Sequence, residues 1–148
     1  KLLATGVDPM ARRREARRTA VRNAQNTFKA VALEWCEKKR RGWSVSHRLH
    51  VMRRLELDLF PHLATRPLQA IDAPELLDVL RRIERRGSLE LVRKVRQICG
   101  GIFRYGIATG VCPRDVAADL KGAFEVRPTK HYPALAIDEL PGFLRALE

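Results

Sequence analysis

Residues 92–110 read VRKVRQICGGIFRYGIATG, and their spacing decides the fold class. Val92, Val95, Cys99, Ile102, Phe103 and Gly106 recur at the intervals of a single helix face. The opposite side carries Arg93, Gln97 and Arg104, with Gly100 and Gly101 between them. Each glycine inside a helix costs about 1 kcal/mol against alanine. A pair of them implies a neighbour that must come close, either a DNA strand or a packed helix, and DNA is the expected one.

Outward from this stretch the chain reads as helices separated by stop signals, an all-α pattern. The central helix should run from about Ser88 to Thr109, with Gly110 closing it. Before it, Asp72-Ala73-Pro74-Glu75 offers a side-chain cap, a first-turn proline and a glutamate three residues on, close to a capping box. Ile71 and Leu76 stand at the staple positions, and the apolar face continues through Leu77, Leu80 and Ile83 until Gly87. Further upstream, Asn26 or Thr27 caps a helix bearing Phe28, Val31, Ala32 and Trp35, which Gly42 ends. Another helix starts near Ser44; its expected stripe is Val45, Leu49, Met52, Leu55 and Leu59, and Pro61 is expected to stop it. A short last helix fits PRDVAADL, before Lys121-Gly122.

The flanks read differently. LLATGVDP looks like the last turn of a helix, with Gly6 in the left-handed position and Pro9 blocking continuation. MARRREARRTAVRN is charged and weakly periodic, a linker or a marginal helix. EVRPTKHYPAL has two prolines and no periodicity and reads as a linker, after which IDELPGFLRALE begins another amphipathic helix. The chain opens on Lys1 rather than Met, so a fragment of a longer protein is expected.

Composition narrows the partner. The 148 residues are 45% apolar, enough for one domain with a real core. No run of about 18 apolar residues suggests a membrane span. The net charge is +12 and the pI about 10.6, the footprint of a nucleic-acid partner. Residues 1–26 hold seven basic and two acidic side chains, residues 27–125 nineteen and twelve, and residues 126–148 three and three. The basicity therefore belongs to the arm and the central body. Cys36, Cys99 and Cys112 form no C-x-x-C pair, so neither a disulfide framework nor a zinc site is indicated, and a reducing cytoplasmic setting fits.

The spacing of Arg93, Gln97, Gly100 and Arg104 places them on one helix stripe, where Arg and Gln can reach phosphates or base edges. Lys94 and Arg96 flank that stripe. The helix after Ser44 offers a similar exposed set in His47, His50 and Arg54, beside Arg48 and Arg53. Arg81, Arg82, Arg85 and Arg86, and likewise Lys38 to Arg41, sit in last helical turns, where cations complement the helix dipole. No P-loop, nucleophile elbow or metal spacing occurs, and His50-Val51-Met52-Arg53 alone makes no active site. No cofactor and no small-molecule substrate is indicated.

The order of TFKAVALEW, WSVSHRLHVMRRLELDLFPHLATRPLQAIDAPELLDVLRRIERRG, VRKVRQICGGIFRYGIATGVCPRDVAADLKG and KHYPALAIDELPGFLRAL resembles the central core-binding domain of prophage-type integrases, of the tyrosine recombinase family. The resemblance spans about residues 27–147 and is strongest in LFPHLATRPLQAI, IFRYGIATG and HYPAL. It implies a compact bundle of four to five helices with a sterile-alpha-motif-like (SAM-like) fold. Such a domain grips one face of a recombination-site duplex while a following catalytic domain closes on the other. Residues 1–26 would then be the tail of an arm-binding domain and a basic linker, 27–125 the core-binding domain, 126–136 the interdomain linker, and 137–148 the start of the catalytic domain. The family's tyrosine nucleophile and its phosphate-stabilising residues lie in that later domain, so none is assigned here and this segment is not itself expected to be an enzyme. The parent is expected to be a site-specific recombinase, tetrameric on DNA. Lys130 and His131 in the linker join the candidates for contact with double-stranded DNA. Val116 stands where relatives often have proline, which bears on the start of the last helix. Two other readings remain at this point, a helix-turn-helix regulator and a helical protein-interaction module with solvated basic faces.

Overall fold

A computed structural model describes residue 6 and residues 8–124, and every regular element among them is helical. In chain order these are α1 (Pro9–Gln25), α2 (Phe28–Lys39), α3 (Val45–Arg54), α4 (Phe60–Leu63), α5 (Ala73–Arg85), α6 (Leu89–Ala108) and α7 (Val116–Asp119). Short 3-10 turns cover Arg40–Gly42 and Leu68–Ala70, and a π-helical turn, Leu55–Leu59, joins α3 to α4. The all-α expectation holds. The linker from Glu125 onward and the helix expected over 137–148 lie outside the described residues.

The capping chemistry read from the sequence sets the helix starts. Asp72 accepts from the Glu75 amide at 2.9 Å, with Pro74 in the first turn, and Ile71 and Leu76 are both buried beside it. The capping box is only half made, because the Glu75 carboxylate takes two hydrogen bonds from Arg66 instead, at 2.8 and 3.2 Å. Thr27 rather than Asn26 caps α2, and Ser44 and Ser88 cap α3 and α6. Gly87 (φ 82°) and Gly110 (φ 73°) close α5 and α6 in the left-handed region that other residues avoid. α7 begins at Val116 with Asp115 as its cap, so the absence of a proline there does not prevent the helix.

α6 is the centre of the bundle, with α2, α5 and α7 packed around it. Its Val92, Val95, Cys99, Ile102 and Phe103 are fully buried against Phe28 of α2, Leu76, Leu80 and Ile83 of α5, and Leu55, Leu59 and Leu63 of the α3–α4 segment. The glycines of α6 answer the question raised by their sequence. A Cβ on Gly101 would lie 2.5 Å from the Trp35 indole, and one on Gly106 would lie 2.5 Å from Leu68. Gly100 is buried, and a Cβ there would meet the end of the Arg104 side chain at 2.9 Å and the Asp115 carboxylate at an ordinary 3.5 Å. The close neighbour is therefore protein, and the bare-face reading toward DNA is replaced by helix packing.

One other expectation is corrected, and two are made definite. Pro61 does not stop the helix after Ser44. The chain widens into the π-helical turn, closed by the Phe60 amide on the Leu55 carbonyl, and α4 continues with Pro61 in its first turn, where its missing N–H matters little. The widened turn shifts the helical phase, so Val51, Leu55 and Leu59 are buried while Val45 and Leu49 are 64% and 62% exposed. Second, Pro9 begins a helix, with Asp8 accepting from the Met10 amide at 2.9 Å; the helix turn expected before it lies largely outside the described residues. Third, the basic arm is a 17-residue helix with no buried residue. It meets the body at its C-terminal end, where the Leu68 amide donates to the Asn26 carbonyl at 3.0 Å and Gln69 donates to Asn23.

The turn also carries Asp58, the one buried charged residue among those described, which accepts from Arg54 of α3 at 3.2 Å and from Arg86 just after α5. All three cysteines are free and buried. Burial pushes the Cys36 thiol up to about 11 and Cys99 up to about 12, and raises Cys112 as well.

Two measurements test this packing. Gly101→Ala should lower stability by about 1–2 kcal/mol, because overpacking against Trp35 outweighs the gain in helix propensity. Gly100→Ala should be neutral or slightly stabilising, because the Arg104 side chain can move aside; chemical denaturation of both variants reads the contrast. For the thiols the sign follows from the raised folded-state values. An unfolded thiol ionises near its ordinary 9.0 while the folded one stays neutral. Their contribution is complete below pH 9 and is lost as pH rises towards 11–12. Denaturant midpoints should therefore fall above pH 9, and a thiol reagent at pH 8 should label the cysteines only after unfolding.

Candidate nucleic-acid interface

α3 and α6 diverge to leave a cleft of about 800 Å³. Its floor is apolar, made by Trp35, Trp43, Val51, Leu91 and Ile98. Trp35, held against Gly101, meets Trp43 edge to face at 5.0 Å between ring centroids, and Trp43 meets His47 in the same way at 4.9 Å. The stack fixes the start of α3 and the position of His47 on the rim. His50 Nδ1 lies 2.9 Å from the Ser46 carbonyl, so Nδ1 donates and Nε2 is left to accept from or donate to a ligand. Arg54 completes the α3 side, steadied by Asp58. From α6 come Lys94 and Gln97, with Glu90 the one acidic side chain lining the cleft.

Five residues from two separate sequence stretches, His47, His50, Arg54, Lys94 and Gln97, therefore line one concavity. The other candidates lie elsewhere. Arg93 is exposed on α6 beside the cleft, 3.8 Å from Glu90, which Lys94 also approaches at 3.9 Å. Both pairs are exposed, so they hold the side chains weakly. Arg96 is half-buried and donates to the Ala117 carbonyl at 3.2 Å, tying α6 to α7. Arg104 pairs at 3.0 Å with Asp115, whose other oxygen caps α7. The stripe read from the spacing is thus divided: Gln97 lines the cleft, Arg93 lies beside it, and Arg104 braces α7. Lys130 and His131 lie outside the described residues.

Of the basic clusters assigned to helix ends, Arg86 does more than complement a dipole, since it reaches the buried Asp58. Arg40 pairs with Glu37 at 3.3 Å, and Arg85 Nε donates to the Arg81 carbonyl at 3.4 Å. The sequence reading missed Trp43 as a site residue. The available signal was Trp43 and His47 at an i, i+4 spacing beside a basic helix, an aromatic interleaved with cations. Among the described residues, no helix is long and apolar enough to cross a membrane, and no group of three or more His, Cys, Asp or Glu could hold a metal ion.

Comparison with known proteins agrees with this architecture. Residues 28–123 match the family described as phage integrase central domain. Over 147 residues the chain is 35% identical to the prophage integrase IntS of Escherichia coli K12, 34% to the integrase of Shigella phage Sf6 and 33% to the integrase of Enterobacteria phage P4. These alignments cover 99% of this chain but only 37%, 37% and 33% of the relatives, so the chain spans about a third of their length. An NMR structure of a fragment of E. coli IntS superposes with a TM-score of 0.59 at 33% identity, covering 72% of this chain and 98% of that one. The integrase-like domain from Bacillus cereus superposes with a TM-score of 0.64 at 12% identity, covering 76% and 97%, a likeness of fold. From the caps of its helices to the 96-residue span of the match, the chain belongs to the phage integrase central-domain family.

Proposed function

We propose that this domain is the core-binding module of a site-specific integrase and that it grips the recombination-site duplex through the cleft between α3 and α6. The observation that carries the reading is the convergence of His47, His50, Arg54, Lys94 and Gln97 over a tryptophan floor. A duplex is too wide to enter the cleft, but one sugar–phosphate strand can seat across its mouth. Arg54 and Lys94 then meet phosphate oxygens, and His47 donates through a ring N–H, while His50 stands on the rim with its Nδ1 proton on the Ser46 carbonyl. The Gln97 amide is the group best suited to a base edge, because it presents a donor and an acceptor together. Arg93 adds charge beside this mouth, loosely held by a carboxylate that a phosphate can displace.

In the parent protein, a catalytic domain following the linker at 126–136 would close on the opposite face of the duplex, with Lys130 and His131 near the backbone. The cutting and rejoining of strands, and the tetramer that synapsis needs, belong to that larger protein. The relatives support this reading by name, being integrases of phages and prophages. A bacterial cytoplasmic location follows from action on DNA.

Two observations keep other readings in view. A three-residue turn, Arg86–Ser88, joins α5 to α6. However, α6 runs 20 residues with a buried face along its length and is not a short recognition helix. Val45, Leu49 and Leu57 are exposed around α3 and give the interaction-module reading a small apolar patch.

Fluorescence anisotropy on duplex DNA across a salt series decides between them. Several phosphate contacts should give a steep slope of log affinity on log salt, about −0.9 for each contact. His47→Ala/Lys94→Glu should bind at least about tenfold more weakly, roughly 1.4 kcal/mol, while keeping its helical circular dichroism. A flat salt response, or a variant that binds like the parent, would remove the cleft from DNA and favour the interaction module.

A further inference from the structure

The arm helix α1 is not explained by the cleft. Over 17 residues it buries nothing, yet it carries Arg12, Arg13, Arg14, Arg17, Arg18 and Arg22 against a single acid, Glu15. Among the described residues none of these guanidinium groups lies within 4.0 Å of a carboxylate, whereas seven of the fourteen body arginines, 40, 54, 66, 86, 93, 104 and 114, do. Most of the arginines are also gathered on one side. Arg12 and Glu15 share the opposite side with Ala16, Thr19, Ala20 and Asn23, and Asn23 ties that side to the body through Gln69. Arg14, Arg17, Arg18 and Arg22 line the first, with Gln25 at its end. At 3.6 residues per turn these two faces point in opposite directions, so these four arginines project away from the anchor.

A helix of this length with no buried face and like charges at i, i+3 and i, i+4 is poorly stabilised from within. It gains most from an extended polyanion that meets a whole face at once. We infer that the Arg14–Arg17–Arg18–Arg22 face is a second DNA-binding surface, tracking the phosphate backbone of duplex outside the stretch held at the cleft. Arginine suits that role because its planar fork takes a phosphate by two hydrogen bonds and stays charged at any working pH. The contact reads no base sequence; it adds affinity and salt dependence. The inference rests on the DNA reading of the domain but not on the cleft, since the two surfaces share no residue.

The test uses the full chain on a duplex longer than the cleft can cover. Arg14→Gln/Arg17→Gln/Arg18→Gln removes no buried contact and leaves the fold intact. Arg81→Gln/Arg82→Gln/Arg85→Gln removes the same charge from exposed positions on α5 and serves as control. The arm variant should lower the salt slope by about 2–3, one phosphate contact for each arginine. The control should lower it by less than about 1. Equal changes in the two variants would show a general charge effect and overturn the inference, as would an unchanged slope in the arm variant. An arm variant without effect beside a cleft variant that loses binding would reject the arm alone. A parent chain with no salt-dependent DNA affinity would reject both surfaces.

Discussion

The approach of Trp35 to the backbone of Gly101 is the contact from which the site is built. A Cβ at that position would stand 2.5 Å from the indole, so only glycine lets α2 settle this close to α6. Trp35 then supports Trp43, Trp43 supports His47, and the chain enters α3 at the angle that leaves a cleft beside α6. A helix-weakening residue in the most buried helix is thus what gives the cleft its shape. The loss of propensity, about 1 kcal/mol, is offset by burying the face of a large aromatic ring.

Local signals in the sequence were read reliably because each is completed within a few residues. Asp72 with Pro74, Ser44, Ser88, Gly87 and Gly110 mark helix ends through bonds to their own neighbourhood. The apolar rhythm of α5 and α6 likewise predicted the faces that are buried. What the sequence did not reveal depends on partners far along the chain. Arg96 and Arg104 looked like free cations until α7 folded back to supply the Ala117 carbonyl and Asp115. The glycine pair admitted either protein or DNA, and only the position of Trp35, some 66 residues earlier, distinguishes them. The grouping of His47, His50 and Arg54 with Lys94 and Gln97 was legible as two basic faces but not as one cleft.

Acidic residues sort the charge of the body. Asp58, Glu75, Asp115 and Asp119 each hold an arginine in place, and so turn part of the excess positive charge into architecture. Glu90 sits at the mouth of the cleft within 4 Å of both Arg93 and Lys94, in contacts loose enough to exchange. It is placed to keep these long side chains near the mouth before a stronger anion arrives. The distinction between held and loosely held cations is more informative here than the net charge of +12.

The widened turn at Leu55–Leu59 acts as a phase shifter. An α-helix assigns each residue an azimuth 100° from the last, so a continuous helix from Ser44 to Leu63 would use one stripe both for the core and for everything it presents outward. The extra residue held in the i→i+5 loop uncouples the two halves. Leu59 and Leu63 keep their register with the core, while the segment before the turn is free to aim His47 and His50 at the cleft mouth. Removing one residue from this turn would leave composition and charge almost unchanged and still rotate the two histidines off the rim. Length at that position thereby shapes the cleft rim as much as the identity of any side chain does.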